Sequence, residues 1–114
     1  MVDQELLELA AKTAGLNVKA QSVNADDRWI GLIVGKKHTR EKKFWNPLTD
    51  DGDALRLAVK FKLRIEINDL LGDALVSGKF CYTIENHNDD SYAATRRAIV
   101  RAAAEIGKAM GEQV

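Results

Sequence analysis

Two hydrophobic periods alternate along this chain, and the changes between them predict its elements. Over residues 3–14, Leu6, Leu9, Ala10 and Ala14 recur at helical spacing, while Glu5, Glu8 and Lys12 fall off that stripe. Glu8 and Lys12 are spaced for an i,i+4 pair. Asp3 and Glu5 suit the positive end of the helix, and Gly15 suits its stop. Two strand candidates follow. Residues 17–23 are mostly polar; residues 29–34 are apolar apart from Gly31 and carry the β-branched Ile30, Ile33 and Val34. The turn formers Asn24, Asp26 and Asp27 between them predict a hairpin.

The second half repeats the logic. Asp50, Asp51 and Asp53 open a helix that runs to about Lys60, with Thr49 or Asp50 as its cap and Leu55, Ala58 and Val59 as its apolar stripe. Residues 63–68 alternate, with Leu63, Ile65 and Ile67 set against Arg64, Glu66 and Asn68. Residues 80–85 alternate again, with Phe80, Tyr82 and Ile84 set against Cys81, Thr83 and Glu85. The stretch 69–79 between them fits a short strand, a helical turn or a long loop. Ser91 then caps a long helix ending near Met110. Thr95, Ile99, Ala102, Ile106 and Met110 form its stripe, Ala94, Ala98 and Ala103 flank them, and Arg97, Arg101, Glu105 and Lys108 lie opposite. Its alanines let a helix lie close on a sheet. The order αββαββα predicts an α+β fold, a layered α/β sandwich in which a mainly antiparallel four-stranded sheet packs with helices as one domain, 1–114.

Composition narrows the function classes. The 17 basic residues balance the 17 acidic ones, so no whole-molecule field draws the protein to nucleic acid or anionic lipid. One cysteine among 114 residues cannot form an intrachain disulfide, which fits a reducing compartment. The apolar runs are too short to span a membrane, and the acidic start is unlike a signal peptide. The expected location is therefore the cytoplasm, with no membrane partner.

The segment from Trp45 through Asn46, Pro47, Leu48 and the three aspartates to Lys60 resembles the phage ABA-sandwich domain family, small proteins encoded by tailed phages and by proteobacterial prophages. The alanine-rich stretch 94–107 and the Ala14-Gly15-Leu16 sequence after the first helix extend the resemblance over most of the chain. It implies a layered α/β/α fold and a phage or prophage origin in a bacterial host cell. It supplies no catalytic residues.

Candidate chemistry is sparse. Trp45, Asn46 and Pro47 form a rigid turn whose indole either anchors a partner or plugs the sheet-to-helix junction; the burial a large ring contributes to a small core favours the plug. Lys36, Lys37, Arg40, Lys42 and Lys43 make the one basic run, placed to contact phosphates with Phe44 or Trp45 stacking nearby, although Glu41 interrupts it. Asp50, Asp51 and Asp53 lack the ligand spacing of a calcium loop, and capping already explains them. His38, His87 and Cys81 have no zinc spacing. A Cys81, His87 and Asp89 catalytic group would require the chain to double back. Arg97, Arg101 and Lys108 read as a wet helix face with an Arg101–Glu105 pair.

These observations predict a non-enzymatic protein with no cofactor and no metal. It acts by binding a host or phage protein or by self-association as a homo-oligomer. A nucleic-acid-binding module using the run 36–43 is the alternative.

Overall fold

The computed structural model describes residues 2–25, 28–35, 43–79 and 81–112; for 17–25, 28–30, 111 and 112 it describes the backbone. Its elements run α1 (Asp3–Thr13), β1 (Asn17–Ala25), β2 (Arg28–Gly35), β3 (Lys43–Trp45), α2 (Asp51–Lys60), β4 (Arg64–Asn68), β5 (Asp73–Ser77), β6 (Tyr82–Asn86) and α3 (Ser91–Glu112). The fold is a layered α+β sandwich. Its strands form two three-stranded antiparallel sheets, β1-β2-β3 and β4-β5-β6, where one sheet of four was expected.

Two short strands account for the difference. β3 has three residues and follows the basic run, so no periodicity announces it; Leu32 pairs with Trp45 and Val34 with Lys43. β5 occupies the undecided stretch. Its Ala74-Leu75-Val76 core does not alternate in polarity, because Ala74 and Val76 are buried under α3 while Leu75 points to the other face and is half-buried.

Local chemistry sets the helix ends. After α1, Leu16 N–H bonds the Ala11 carbonyl and Gly15 takes φ +78°, a left-handed stop that closes the helix. Asp50 caps α2 by accepting from Asp53 N–H at 2.8 Å. Asp90, rather than the expected Ser91, caps α3: its carboxylate accepts from Ala93 N–H at 3.0 Å.

One apolar cluster joins the helices and both sheets. α1 lies on β1 and β2, α3 lies on β5 and β6, and α3 also packs against α1 and α2. Leu7, Leu32, Val76 and Val100 are fully buried within this core. Glycine permits the α1–α3 approach, since a Cβ on Gly107 would collide with Thr13 Oγ1. We expect Gly107→Ala to destabilise the protein by about 1 kcal/mol. In a Thr13→Ala background the same change should stabilise it by roughly 0.5–1 kcal/mol, the ordinary helix preference for alanine over glycine. Urea denaturation of the four chains checks the change of sign; the same sign in both backgrounds removes Thr13 as the cause.

Two expected faces are rotated. On α2 the buried side is Ala54, Leu57 and Ala58, whereas Leu55 and Val59 are 59% and 69% exposed. On β6 the polar residues point inward: Thr83 is buried and donates its hydroxyl to the Ala98 carbonyl at 2.7 Å, and Cys81 Sγ lies 3.7 Å from the Ala102 carbonyl. Glu85 shares this face and meets Arg97 and Arg101 of α3. Tyr82 and Ile84 consequently face outward, exposed. The alanine stripe of α3 lets β6 approach closely enough for short polar side chains to reach helix carbonyls, and those bonds select the register.

Candidate functional site

Two concave surfaces border α2. The first is a groove of about 490 Å³ between α2, β4 and α3, lined by Ala54, Leu55, Ile65, Ile67, Tyr92 and Ile99 among others. Ile65 and Ile67 are on the face of the sheet that α3 covers, because Ile65 pairs with buried Val76 and Ile67 with buried Ala74. Yet β4 is an edge strand, and α3 does not extend over it; Ile65 is 36% and Ile67 53% exposed. The β4–β5 turn extends this apolar surface. Asn68 Oδ1 accepts from Leu71 N–H at 3.1 Å, and the turn leaves Leu70 almost wholly and Leu71 largely in solvent. Leu55 of α2 lines the same groove, so a strand edge that no other described strand pairs is bordered by exposed apolar side chains.

The second surface is a cavity of about 320 Å³ between α1, the β2–β3 pair and α2. Ala14, Leu16, Val34, Trp45 and Leu57 supply apolar walls; Lys43, Arg56, Lys60 and Asp53 supply the charges. Asp53 is 4% exposed and accepts from Asn46 N–H at 3.1 Å, with Lys43 Nζ at 3.7 Å and Arg56 at 3.4 Å. One supported carboxylate thus sits behind two cations that reach into solvent.

The residues singled out in the sequence fall as follows. Trp45 and Asn46 are buried at 5% and 3% exposure, and Pro47 is fully buried. The turn does not present an indole to a partner; it plugs the junction, and Trp45 forms a wall of the second cavity. Asn46 organises the entry to α2, its carbonyl accepting from Thr49 and Asp50 N–H and its side chain from Leu48 N–H at 2.9 Å. Of the basic run, Lys36, Lys37, Arg40 and Lys42 lie outside the described residues, as do His38 and Phe80. Lys43 is described and lines the cavity.

The three aspartates diverge into separate tasks: Asp50 caps α2, Asp53 binds Asn46 N–H, and Asp51 pairs with Arg96 at 2.7 Å. Among the described residues no group of three or more His, Cys, Asp or Glu converges. Burial pushes the Cys81 thiol up from its ordinary value, so it stays protonated as a donor to α3. His87 Nε2 is buried with no hydrogen-bond partner among the described residues, so no bond through that nitrogen joins it to Cys81. The basic face of α3 is neutralised partly from other elements and partly from within the helix. Arg97 pairs with Asp3 at 2.8 Å, Arg101 with Glu85 rather than the expected Glu105, and Lys108 with Glu105.

No family model, curated protein or solved structure matches this chain. The site must be read from its own residues. No helix among the described residues is long and apolar enough to cross a membrane.

Arg56, Lys60 and Tyr92 carried no individual motif in the sequence, and the alternation that marks Ile65 and Ile67 gave no sign that they line a groove. One signal was present for the groove: α2 has two apolar stripes, Ala54-Leu57-Ala58 and Leu55-Val59, where one buried face needs only one. For the cavity the signal is local charge: residues 36–64 hold nine of the 17 basic side chains but four of the 17 acidic ones, an asymmetry that whole-chain neutrality conceals.

Proposed function

We propose that this is a non-enzymatic phage or prophage accessory protein of the host cytoplasm, which acts by self-association through the β4 edge. The resemblance of residues 45–60 and 94–107 to the phage ABA-sandwich domain family supports the origin. The observation that carries the mode of action is the edge of β4, which no other described strand pairs, bordered by exposed Leu55, Ile65, Ile67 and Leu70. Strand addition satisfies edge hydrogen bonds and covers such side chains together.

The partner that fits is a second copy, because the edge is self-complementary. Antiparallel pairing of two β4 strands with Ile65 opposite Ile65 sets Arg64 opposite Glu66 of the second copy, and Glu66 opposite its Arg64. Leu63 then faces Ile67. Moving the centre to Glu66 would instead put the two Glu66 carboxylates face to face, so charge selects the first register. The product is a continuous six-stranded sheet.

Sedimentation equilibrium tests the proposal. The unmodified chain should be dimeric at roughly 100 μM. Ile65→Lys places two ammonium groups opposite each other at the two-fold axis and should give a folded monomer. An unmodified chain that is monomeric at that concentration, or an Ile65→Lys chain that still dimerises, rejects the interface.

Nucleic acid is the second reading. It rests on Lys43, the described end of the basic run, lying in one cavity with Arg56 and Lys60.

A further inference from the structure

We infer that the cavity between α1, β2–β3 and α2 is a binding site for a small organic anion with an apolar body, of the medium-chain carboxylate class. The cavity combines the two properties such a ligand requires. Its walls are aliphatic and aromatic, from Leu16, Val34, Trp45 and Leu57, and its volume of about 320 Å³ is in the range of small-molecule sites. Among the described residues its charged groups are Lys43, Arg56 and Lys60 against the carboxylate of Asp53, an excess of two positive charges among them.

The position of Asp53 makes this a built arrangement. Its carboxylate is 4% exposed and held by Asn46 N–H, so it is fixed from within the protein. From there it holds Lys43 and Arg56 beside it while their side chains remain 51% and 63% exposed. Lys60 has no carboxylate partner among the described residues, and it lines the same cavity. An apolar tail lying against Leu16, Val34 and Leu57 would direct its head group toward these cations. There a carboxylate gains charge-assisted hydrogen bonds, while its chain leaves water.

The same geometry disfavours other ligands. A nucleic-acid base needs an exposed aromatic face on which to stack; Trp45, the aromatic wall of this cavity, is 5% exposed, and Phe44, 44% exposed, is not among the residues that line it. A neutral apolar molecule would use the walls but leave the excess charge unmet. A metal cation would meet three cationic side chains around one carboxylate that already has partners.

The experiment is a 15N–1H NMR titration of the full chain with sodium octanoate, with 1-octanol and sodium acetate in parallel. Octanoate should shift the amides of Leu16, Val34 and Leu57 saturably. It should bind about tenfold more tightly than 1-octanol, the scale of a charge-assisted hydrogen bond, and acetate should give no saturable shift. An Arg56→Gln/Lys60→Gln chain should lose most of that tenfold preference while keeping its overall spectrum, because Asn46 N–H and Lys43 still hold the Asp53 carboxylate that Arg56 leaves. Ile65→Lys, on the other side of α2, should bind octanoate unchanged, which keeps this result independent of the β4 interface. Equal binding of octanoate and 1-octanol overturns the proposal. So do retention of the preference in the double variant and shifts confined to the groove at Ile67 and Tyr92. Displacement of octanoate by a thymidine oligonucleotide at lower concentration also overturns it, in favour of nucleic acid.

Discussion

Ala98→Leu should destabilise the protein by about 3 kcal/mol, a large share of the roughly 5–15 kcal/mol that holds a domain of this size together. Ala98 is fully buried, and its carbonyl accepts the Thr83 hydroxyl at 2.7 Å. A leucine there has no space beside β6, so α3 must lift from the sheet. Lifting it also breaks the Thr83 bond and leaves a buried hydroxyl without its partner, which costs about 1–3 kcal/mol by itself. Thr83→Val isolates the polar part: it preserves shape, removes the hydroxyl, and should cost only about 1 kcal/mol. Urea denaturation midpoints measure both. If Ala98→Leu moves stability by less than the valine change, close approach of α3 does not set the inward face of β6.

That contact also explains how far the sequence could be read. Helices α1, α2 and α3 were legible in extent, each ending within about two residues of its expected bounds, because helical spacing, the acidic first turns of α1 and α2 and the Gly15 stop mark them. The buried face of α2 and the cap of α3 were not, since Ala54 and Leu57 rather than Leu55 and Val59 pack inward and Asp90 rather than Ser91 accepts from Ala93 N–H. Four of the six strands were legible in position, β3 and β5 being too short or too uniformly apolar to announce themselves, and the orientation of β6 was not legible. In β6 an apolar-inward rule turns Tyr82 and Ile84 toward the core, yet the alanine carbonyls of α3 accept from Thr83 and Cys81 and hold the strand the other way. That choice depends on a contact between residues 15 or more apart in the chain, which periodicity within one strand cannot encode. The groove was hidden for a related reason. Ile65 and Ile67 do face the core side, as their alternation says, but edge position leaves them uncovered. The cavity was hidden because its cations come from β3 and α2 and meet only on folding.

Charge exchange across the β4 edge should produce the largest change in association. In the proposed register each Arg64 faces a Glu66 of the second copy, twice per dimer. Arg64→Glu converts both attractive pairs into carboxylate pairs, and Glu66→Arg converts both into guanidinium pairs. Each cross-strand pair changes by about 1 kcal/mol when its sign reverses, so either substitution should weaken the dimer by about 2 kcal/mol, or roughly 30-fold. Both side chains are largely exposed and pair with each other within one chain at 3.2 Å, so the fold should lose little in either variant. Two further chains separate register from general charge effects. The double variant Arg64→Glu/Glu66→Arg restores opposite signs at every facing position and should dimerise like the unmodified protein. A mixture of the two single variants should form heterodimers, since each carries the charge the other's edge lacks, although each associates with itself only weakly. Raising the salt concentration should shrink all these differences, because the pairs lie in water at the sheet's outer face. Sedimentation of the mixture is decisive: if it stays monomeric under conditions where the unmodified chain dimerises, Arg64 and Glu66 do not face each other and the strand register is wrong.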